Sequence, residues 1–315
     1  MISIIIVTFN SGKVIENCLN SILNSQLQPL EYEIIVIDNN SSDNTKDLLK
    51  AYSASNIQII LNMENLGFAR ACNQGVRMAK HQTVLLLNPD TIVKQHSIRD
   101  SYRFLHSSRN IGIVGCKILD KDGKIIKSCR YFPTISDALS RALGLYKIFP
   151  GSRMFGRVML SNFDYMQNRE VDVVSGAFLM FKKKVTEDIG LFDEGYFLYT
   201  EEVDFCYRAK QAGWKIFYYA GAEIWHQEGH SAQNEAAYVS TFIQQHRSNH
   251  LFYKKYYPAI QRKLFWILGF TEVSIRAAFW SLCFLLTGSK RAKRKYFRYR
   301  GVAHWYLHQY KTDIG

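Results

Sequence analysis

The sequence predicts an α/β fold, a mixed and mainly parallel sheet flanked by helices, followed by a helical, basic appendage at the C-terminal end. Three observations carry this prediction. Apolar runs of strand length alternate with helical patterns, two of those runs stop abruptly in acidic loops, and nearly all of the net charge lies beyond residue 240.

The elements can be justified in order. Ile2 to Thr8 is apolar apart from Ser3 and its last residue, with no basic leader and no cleavage site, and reads as a first buried strand rather than a signal segment. Glu33 to Asp38, Ile57 to Leu61 and Thr83 to Leu87 are further strand candidates, and helical patterns at Val14 to Leu23, Thr45 to Tyr52 and Ala69 to Ala79 fall between them. This βαβα order predicts a parallel, doubly wound sheet. Later strands are expected at Ile111 to Ile118, Lys124 to Ser128 and Val171 to Phe181, with Asp120-Lys121-Asp122-Gly123 as a hairpin turn. Periodicity weakens from Pro133 to Tyr165, where Gly144, Pro150, Gly151 and Gly156 accumulate, so this segment reads as a mobile lid or acceptor loop, with a rigid insertion as the alternative.

The run Thr83 to Leu87 ends in Asn88-Pro89-Asp90, and Glu33 to Ile37 ends in Asp38-Asn39-Asn40-Ser41-Ser42-Asp43. Open α/β sheets bind ligands outside the carboxyl ends of their strands, where the strand order reverses. Two acidic strand ends there point to a metal and a ligand that carries phosphates.

At 315 residues, 47% of them hydrophobic, the chain can bury a full domain and support an appendage. Its six cysteines are scattered with no Cys-x-x-Cys pair, which argues against zinc or a disulfide framework and suits a reducing cytoplasm. From Thr241 onward there are 14 Lys or Arg against two acids, whereas the preceding residues carry 26 against 25, so +12 of the +13 net charge sits in the tail. The apolar stretch Leu264 to Leu286 precedes Lys290, Arg291, Lys293, Arg294, Lys295, Arg298 and Arg300, which alternate with Tyr296, Phe297 and Tyr299. Bases beside apolar and aromatic residues favour an anionic leaflet, at about 1 kcal/mol per basic residue.

That stretch is long enough to cross a bilayer, but Glu272 and Arg276 near its centre would be costly there. Spaced four apart, they can pair on one helical face. Phe265, Leu268, Ile275, Phe279, Leu282 and Leu286 recur at helical spacing, the pattern of a helix lying in the membrane interface. A transmembrane span and packing against the rest of the chain or a second copy in a homo-oligomer are the alternatives. No nucleic-acid-reading module is present in the pattern.

Several motifs follow one another in order: Val7-Thr8-Phe9-Asn10, the Asp38 to Asp43 loop, Asn65 to Gly75, and Leu86-Leu87-Asn88-Pro89-Asp90. Then come Ser175-Gly176-Ala177, Gly190-Leu191-Phe192-Asp193-Glu194, Glu201-Glu202-Val203-Asp204, Ala212-Gly213-Trp214 and His226-x-x-Gly229-x-Ser231. The set resembles the family 2 glycosyltransferases of GT-A, Rossmann-like fold, and most resembles their bacterial rhamnosyltransferase branch. It covers residues 2 to about 257. The expected layout is a catalytic domain over 1–232, with a nucleotide-sugar half to 110 and an acceptor half from 111 that includes the 133–165 loop, then a membrane-associated region over 233–315.

The residues support specific expectations. Thr8, with Phe9 and Asn10, can offer backbone groups to a nucleobase, and Asp38, with Asn40, can accept the imide N–H of uracil or thymine; a helix cap is the alternative for Asp38. Gly67 stands where backbone needs close approach to the ligand, and Arg70 and Asn73 follow on the first turns of a helix, Arg70 suiting a diphosphate. Asp90 is expected to hold Mg²⁺ or Mn²⁺ bridging the diphosphate. The family's usual pattern has two aspartates around one residue, but Asn88 stands at the first, so ligation rests on Asp90. The resemblance supplies His226 as a second ligand, which favours Mn²⁺.

Transfer also needs a base for the acceptor hydroxyl. In the family's Glu-Asp-x-Asp pattern the second acid is the base, and Glu202 stands there, with Glu201 and Asp204 as alternatives. The bland reading of this cluster is a helix cap. Ser175-Gly176-Ala177 is expected to floor the sugar pocket, as in related enzymes, with Trp225 beside it. Trp214, Phe217, Tyr218 and Tyr219 are expected in core and rim packing.

The resemblance therefore implies an inverting, metal-dependent transferase at the cytoplasmic face of the membrane, using a dTDP-sugar, most simply dTDP-L-rhamnose, on a lipid-linked saccharide. A UDP-hexose or UDP-N-acetylhexosamine donor is the alternative within the fold. Asn88 and Glu202, which depart from the pattern, leave a catalytically silent membrane-binding scaffold as a third reading.

Overall fold

The structure is a computed structural model, and it describes residues 1–52, 57–149, 152, 155, 160, 163–226, 235–310 and 312. Gly229 and Ser231 of the late histidine motif lie outside these, as do Pro150, Gly151 and Gly156.

The first half of the sheet follows the predicted alternation. Strand β1 (Ile2–Thr8) is buried at every position, as a central parallel strand covered on both faces must be. Helix α1 (Ile15–Leu23) returns over it and buries Ile15, Cys18, Leu19 and Ile22, the i, i+3, i+4, i+7 stripe of an amphipathic helix. There follow β2 (Tyr32–Asp38), α2 (Thr45–Lys50), β3 (Ile57–Leu61), α3 (Phe68–Met78) and the fully buried β4 (Thr83–Leu87). Strands β1, β2 and β3 run parallel, and β4 pairs with β1 in the same direction.

The second half is mixed. It comprises β5 (Thr91–Val93), α4 (Ser97–His106), β6 (Ile111–Leu119), β7 (Ile125–Ile126), α5 (Ile135–Ala142), α6 (Leu145–Ile148), β8 (Arg169–Glu170), β9 (Phe178–Lys182), α7 (Lys183–Ile189), α8 (Glu201–Gln211) and β10 (Lys215–His226). The strand order is β3-β2-β1-β4-β9-β6-β10-β5, with β7 and β8 pairing beside it. Strand β9 is antiparallel to both β4 and β6, and β5 is antiparallel to β10. Order reverses at β1, whose neighbours are β2 and β4, so the loops leaving β1 and β4 diverge and open a crevice at the carboxyl edge.

Two expectations about elements differ from what is seen. The strand proposed from Val171 to Phe181 is interrupted: Ala177 N–H bonds Ser175 Oγ at 3.2 Å, and regular pairing starts only at Phe178. Strands β5 and β10 complete the sheet although the sequence pattern did not mark them. Along β10 burial alternates imperfectly, and a register shift between Tyr219 and Glu223 breaks its period.

The chain divides into two compact units. The first comprises Met1–Phe132, Phe163–Phe197 and Glu201–His230, and the second Pro133–Asn162, Leu198–Thr200 and Ser231–Gly315. Residues 133–162 thus group with the C-terminal helices rather than with the strands flanking them in sequence. The reason is local: Thr134 and Asp137 form a capping box that starts α5. Arg141 on α5 then pairs with Glu272 at 3.5 Å.

The second unit is built on α9 (Glu235–Tyr256), α10 (Ala259–Thr287) and α11 (Lys290–His308). Its core gathers Val273, Tyr299, Val302, Trp305 and Tyr306. Glu272 and Arg276 pair at 2.7 Å, as their spacing predicts. Phe265 does not share the exposed apolar face: it is buried and stacks on Tyr253 with ring centroids 3.9 Å apart. Ile275, Phe279, Leu282 and Leu286 are exposed, and α10 is long and apolar enough to cross a membrane by length and composition.

Candidate active site

The loops at the ends of β1 and β2 are tied into one surface. Asn10, held at φ 52, donates its N–H to Ser41 Oγ at 2.8 Å, and its Oδ1 accepts from Ser42 N–H at 2.8 Å. Asn39 N–H bonds the Thr8 carbonyl at 2.8 Å, while its side chain bridges Asn65 and the Gly67 carbonyl. Asn40, at φ 66, accepts from Lys46 Nζ at 3.0 Å. Phe9 is exposed at the rim, and Thr8 Oγ1 is buried with no hydrogen-bond partner. An orphaned hydroxyl costs free energy, so it marks a place where a ligand or water belongs.

Asp38 is fully buried, and both of its carboxylate oxygens accept from Ser41, one from its N–H at 2.9 Å and one from its hydroxyl. It closes the turn after β2, and each oxygen keeps one acceptor site that Ser41 does not use. Asn39 and Ser41, to which the sequence reading gave no role, do the structural tying here.

Gly67, at φ 83, is needed for a close approach within the protein. A Cβ there would stand 2.7 Å from the Phe197 carbonyl oxygen, to which Phe68 N–H already bonds at 2.7 Å. The helix that follows anchors the 190–196 loop. Asn73 is buried and exchanges bonds with Phe192, its Nδ2 donating to the Phe192 carbonyl at 2.8 Å and its Oδ1 accepting from Phe192 N–H at 3.0 Å. Glu194 takes bonds from Asn73, Arg70 and Arg77, and the Asn73 amide beside it is the chief reason its carboxyl titrates below the usual range. Arg70 engages Glu194 through Nε at 3.0 Å and remains half exposed. Asn73 is committed to the loop, whereas Arg70 keeps guanidinium surface facing solvent.

The β4 end provides the second grouping. Asn88 N–H bonds the Ala177 carbonyl at 3.1 Å, and the Asn88 carbonyl accepts from Thr91 Oγ1 at 2.7 Å, which fixes the turn that presents Asp90. Antiparallel pairing of β5 with β10 places Thr91 opposite His226, and Trp225, partly exposed, opposite Ile92. His226 Nε2 thereby comes within 3.0 Å of Asp90 Oδ1. Yet no hydrogen bond joins them, and Nε2 is buried without one. Bonds of about 2.1 Å meeting at a right angle put neighbouring ligand atoms about 3 Å apart. A carboxylate oxygen and an orphaned imidazole nitrogen at that separation fit a hard or borderline divalent cation. Among the described residues, no group of three or more His, Cys, Asp or Glu side chains is arranged to hold a metal ion.

The third grouping surrounds Gly176. A Cβ on Gly176 would lie 3.9 Å from the Glu202 Cβ, so the Ser175-Gly176-Ala177 turn runs directly against the acidic start of α8. The Ala177 carbonyl reaches Asn88, linking this turn to the β4 end. Glu202 Oε1 accepts from Arg130 Nη2 at 2.7 Å, while Oε2 is buried and unpaired. Glu201, also buried, has its carboxyl pushed well above the usual range by burial and then by the Glu202 charge. Asp204 is fully buried and bonded to Arg208 Nε at 2.7 Å and Tyr196 Oη at 3.4 Å, so it is part of the interior. Two residues ahead of the acids, Tyr199 and Thr200 hold φ of 67 and 71, sparsely populated values that concentrate at functional segments.

Arg130 had no sequence signal, since it stands alone between Cys129 and Tyr131 without periodicity. Trp214 is half-buried and donates its indole N–H to Asp188 Oδ2 at 3.1 Å, while Tyr218 is fully buried with its hydroxyl bonded to the Tyr165 carbonyl at 2.7 Å.

Comparison with known proteins places this geometry. Residues 1–247 match the family described as Glycosyltransferase like family 2. The low-salt glycan biosynthesis hexosyltransferase Agl10 of Haloferax volcanii is 31% identical over 67% of this chain and 62% of its own length. The N-acetylglucosaminyl-diphospho-decaprenol L-rhamnosyltransferase of Mycobacterium tuberculosis is 26% identical over 80% of this chain and 83% of its own. The mannosyltransferase PcManGT from Pyrobaculum calidifontis, solved with GDP-Man and Mn²⁺, superposes with a TM-score of 0.58 at 15% identity, covering 98% of this chain and 87% of its own. GalNAc-T7 with UDP, GalNAc and Mn²⁺ superposes with a TM-score of 0.57 at 15% identity, covering 100% of this chain and 57% of its own. At such identities the superpositions speak for the fold, which is GT-A. With the family match extending over most of its length, this chain belongs to the family 2 glycosyltransferases.

Proposed function

We propose that this glycosyltransferase inverts at the anomeric carbon and transfers L-rhamnose from dTDP-L-rhamnose to a polyprenyl-diphosphate-linked saccharide in the assembly of a bacterial surface polysaccharide. The observation that carries the reading is the approach of His226 Nε2 to Asp90 Oδ1, 3.0 Å without a hydrogen bond. Asp90 and His226 would hold Mg²⁺ or Mn²⁺, which when bound supplies Lewis-acid stabilisation of the diphosphate leaving group.

The chain's own residues supply the rest. The nucleobase sits at the end of β1, where Thr8 Oγ1 lacks a partner and Phe9 and Asn10 form the rim. Arg70 directs exposed guanidinium nitrogens at the diphosphate. Gly176 leaves the space above Glu202 unfilled, and Trp225 borders the pocket. Glu202 Oε2 takes the proton from the acceptor hydroxyl as that oxygen bonds the sugar's anomeric carbon. The bond from this carbon to the diphosphate oxygen breaks at the same time, its electron pair leaving with the phosphate. One base opposite one leaving group gives a single displacement and hence inversion.

The second unit carries the enzyme to its substrate. Ile275, Phe279, Leu282 and Leu286 expose one face of α10, and Lys290, Arg291, Lys293 and Arg294 follow at the exposed start of α11. Such a helix lies in the interface with its apolar face immersed and its bases on anionic headgroups. This supports peripheral attachment to the cytoplasmic leaflet, where a polyprenyl-linked acceptor is met. The acceptor class follows the Mycobacterium tuberculosis relative, whose name gives a decaprenol-linked N-acetylglucosamine.

A UDP-hexose or UDP-N-acetylhexosamine donor is the second reading, favoured by the Haloferax volcanii hexosyltransferase and by a Staphylococcus aureus poly-beta-1,6-N-acetyl-D-glucosamine synthase, 27% identical over 71% of this chain. Incubation with dTDP-rhamnose, UDP-glucose and UDP-N-acetylglucosamine and a lipid-linked N-acetylglucosamine acceptor separates the two. Transfer of rhamnose with inverted anomeric configuration supports the first, transfer only from UDP-sugars the second, and retention of configuration refutes the mechanism.

A further inference from the structure

Glu202 is held from one side only. Arg130 Nη2 lies 2.7 Å from Oε1, and Oε2, itself buried, bonds nothing. The Arg130 main chain is fixed in turn. Arg130 exchanges two bonds with Val173, its N–H to the Val173 carbonyl and the Val173 N–H to its own carbonyl, each 3.0 Å. Val173 lies two residues before Ser175, so one short segment positions both Arg130 and the turn that faces Glu202.

The other charged or titratable groups around Glu202 offer no substitute for this cation. Glu201, on the same helix, is a second acid, its carboxyl pushed well above the usual range by burial and then by the Glu202 charge. The Cys206 thiol, one turn on, is pushed up to about 12 by burial and stays neutral. Asp172 is committed to Lys210 in an ion pair. Among the described residues Arg130 is therefore the cation that meets the carboxylate, and it engages one of its two oxygens.

We propose that Arg130 is a positioning residue for the transfer: its guanidinium orients the Glu202 carboxylate so that Oε1 is occupied and Oε2 is the oxygen turned to the acceptor hydroxyl. Lysine carries the charge without the planar fork, so it restores only part of the orientation. The inference rests on Glu202 being the base, and the experiment reports on the two separately.

The test is steady-state kcat, donor KM and melting temperature in Arg130→Met, Arg130→Gln, Arg130→Lys and Glu202→Gln. In the Met and Gln variants kcat should fall by on the order of 10-fold or more, with donor KM and melting temperature unchanged, and it should recover in part in the Lys variant. If the Met variant does not fold, the Gln and Lys pair decides. An unchanged kcat in the Gln variant, a donor KM that rises as far as kcat falls, or a Lys variant as slow as the neutral ones overturns the role of Arg130. Turnover retained by Glu202→Gln removes Glu202 as the base, a distinct outcome that refutes the underlying reading instead.

Discussion

Asp90 Oδ1 and His226 Nε2 stand 3.0 Å apart, brought there by the antiparallel pairing of two short strand ends, and do not hydrogen-bond. That separation is the one two ligand atoms of a common divalent cation keep, and the proposed function assigns them that arrangement.

Removing either ligand should therefore weaken metal dependence and catalysis together. Asp90→Asn is expected to lower kcat by on the order of 100-fold, the size seen when one group stabilising developing charge is lost. His226→Ala should raise the Mn²⁺ concentration giving half-maximal activity by about 10-fold or more. Metal titrations of turnover check both.

Gly176 should tolerate a methyl group and little more. A Cβ there would meet the Glu202 Cβ at an ordinary 3.9 Å. Gly176→Ala is expected to leave stability within about 0.5 kcal/mol while raising acceptor KM. Gly176→Val should abolish transfer without abolishing donor binding, a split that steady-state kinetics and calorimetry resolve.

Gly67 should tolerate nothing. Its φ of 83 strains any L side chain, and a Cβ would stand 2.7 Å from the Phe197 carbonyl. Gly67→Ala is expected to cost about 1–3 kcal/mol, read as a lowered midpoint in urea. Donor affinity measured on the folded fraction should fall less than stability does.

The second unit should weaken in acid. His246 and His250 both bond Tyr306 Oη, at 3.1 and 2.8 Å, and burial first of all lowers each to about 3. Unfolded, they bind protons at about pH 6.5, so between that pH and about 3 the unfolded chain holds more protons than the folded one. Stability therefore falls as pH drops through this window and is full above it. His250→Gln should flatten the acid side of the melting-temperature profile.

Membrane attachment should depend on both parts of the proposed surface. Leu282→Glu with Leu286→Glu should release the protein from liposomes of any composition. Replacing Lys290, Arg291 and Lys293 with Gln should lower binding by about 1 kcal/mol per residue, and only on anionic vesicles. Sedimentation with neutral and anionic liposomes distinguishes the two effects.

What the sequence made legible follows from periodicity. The buried strands β1, β2 and β4 and the amphipathic α1 announce themselves because each carries a continuous or 3.6-residue apolar pattern. Asp90 was readable because a carboxylate ends a buried run. Glu272 and Arg276 were readable as a pair because helical geometry fixes residues four apart. Groupings made by long-range register were not readable: Arg130 meets Glu202 only through its bridge to Val173, and β5 is too short to show a period. Gly67 shows a different limit. Its close approach was read toward a ligand, whereas the atom that crowds it belongs to Phe197. Asp38 and Asn73 were read toward a ligand, while the folded chain uses their polar atoms on Ser41 and Phe192.

The central claim is that Asp90 and His226 share one cation at the donor's phosphates. Electron spin echo spectroscopy of the Mn²⁺-loaded protein with dTDP-rhamnose tests it most directly, because a coordinated imidazole imprints nitrogen couplings on the metal signal. The account predicts such couplings in the native protein, their loss in His226→Ala, and turnover that stops in EDTA and returns with Mn²⁺. Nitrogen-free spectra from the native protein, together with undiminished turnover in EDTA, would contradict it.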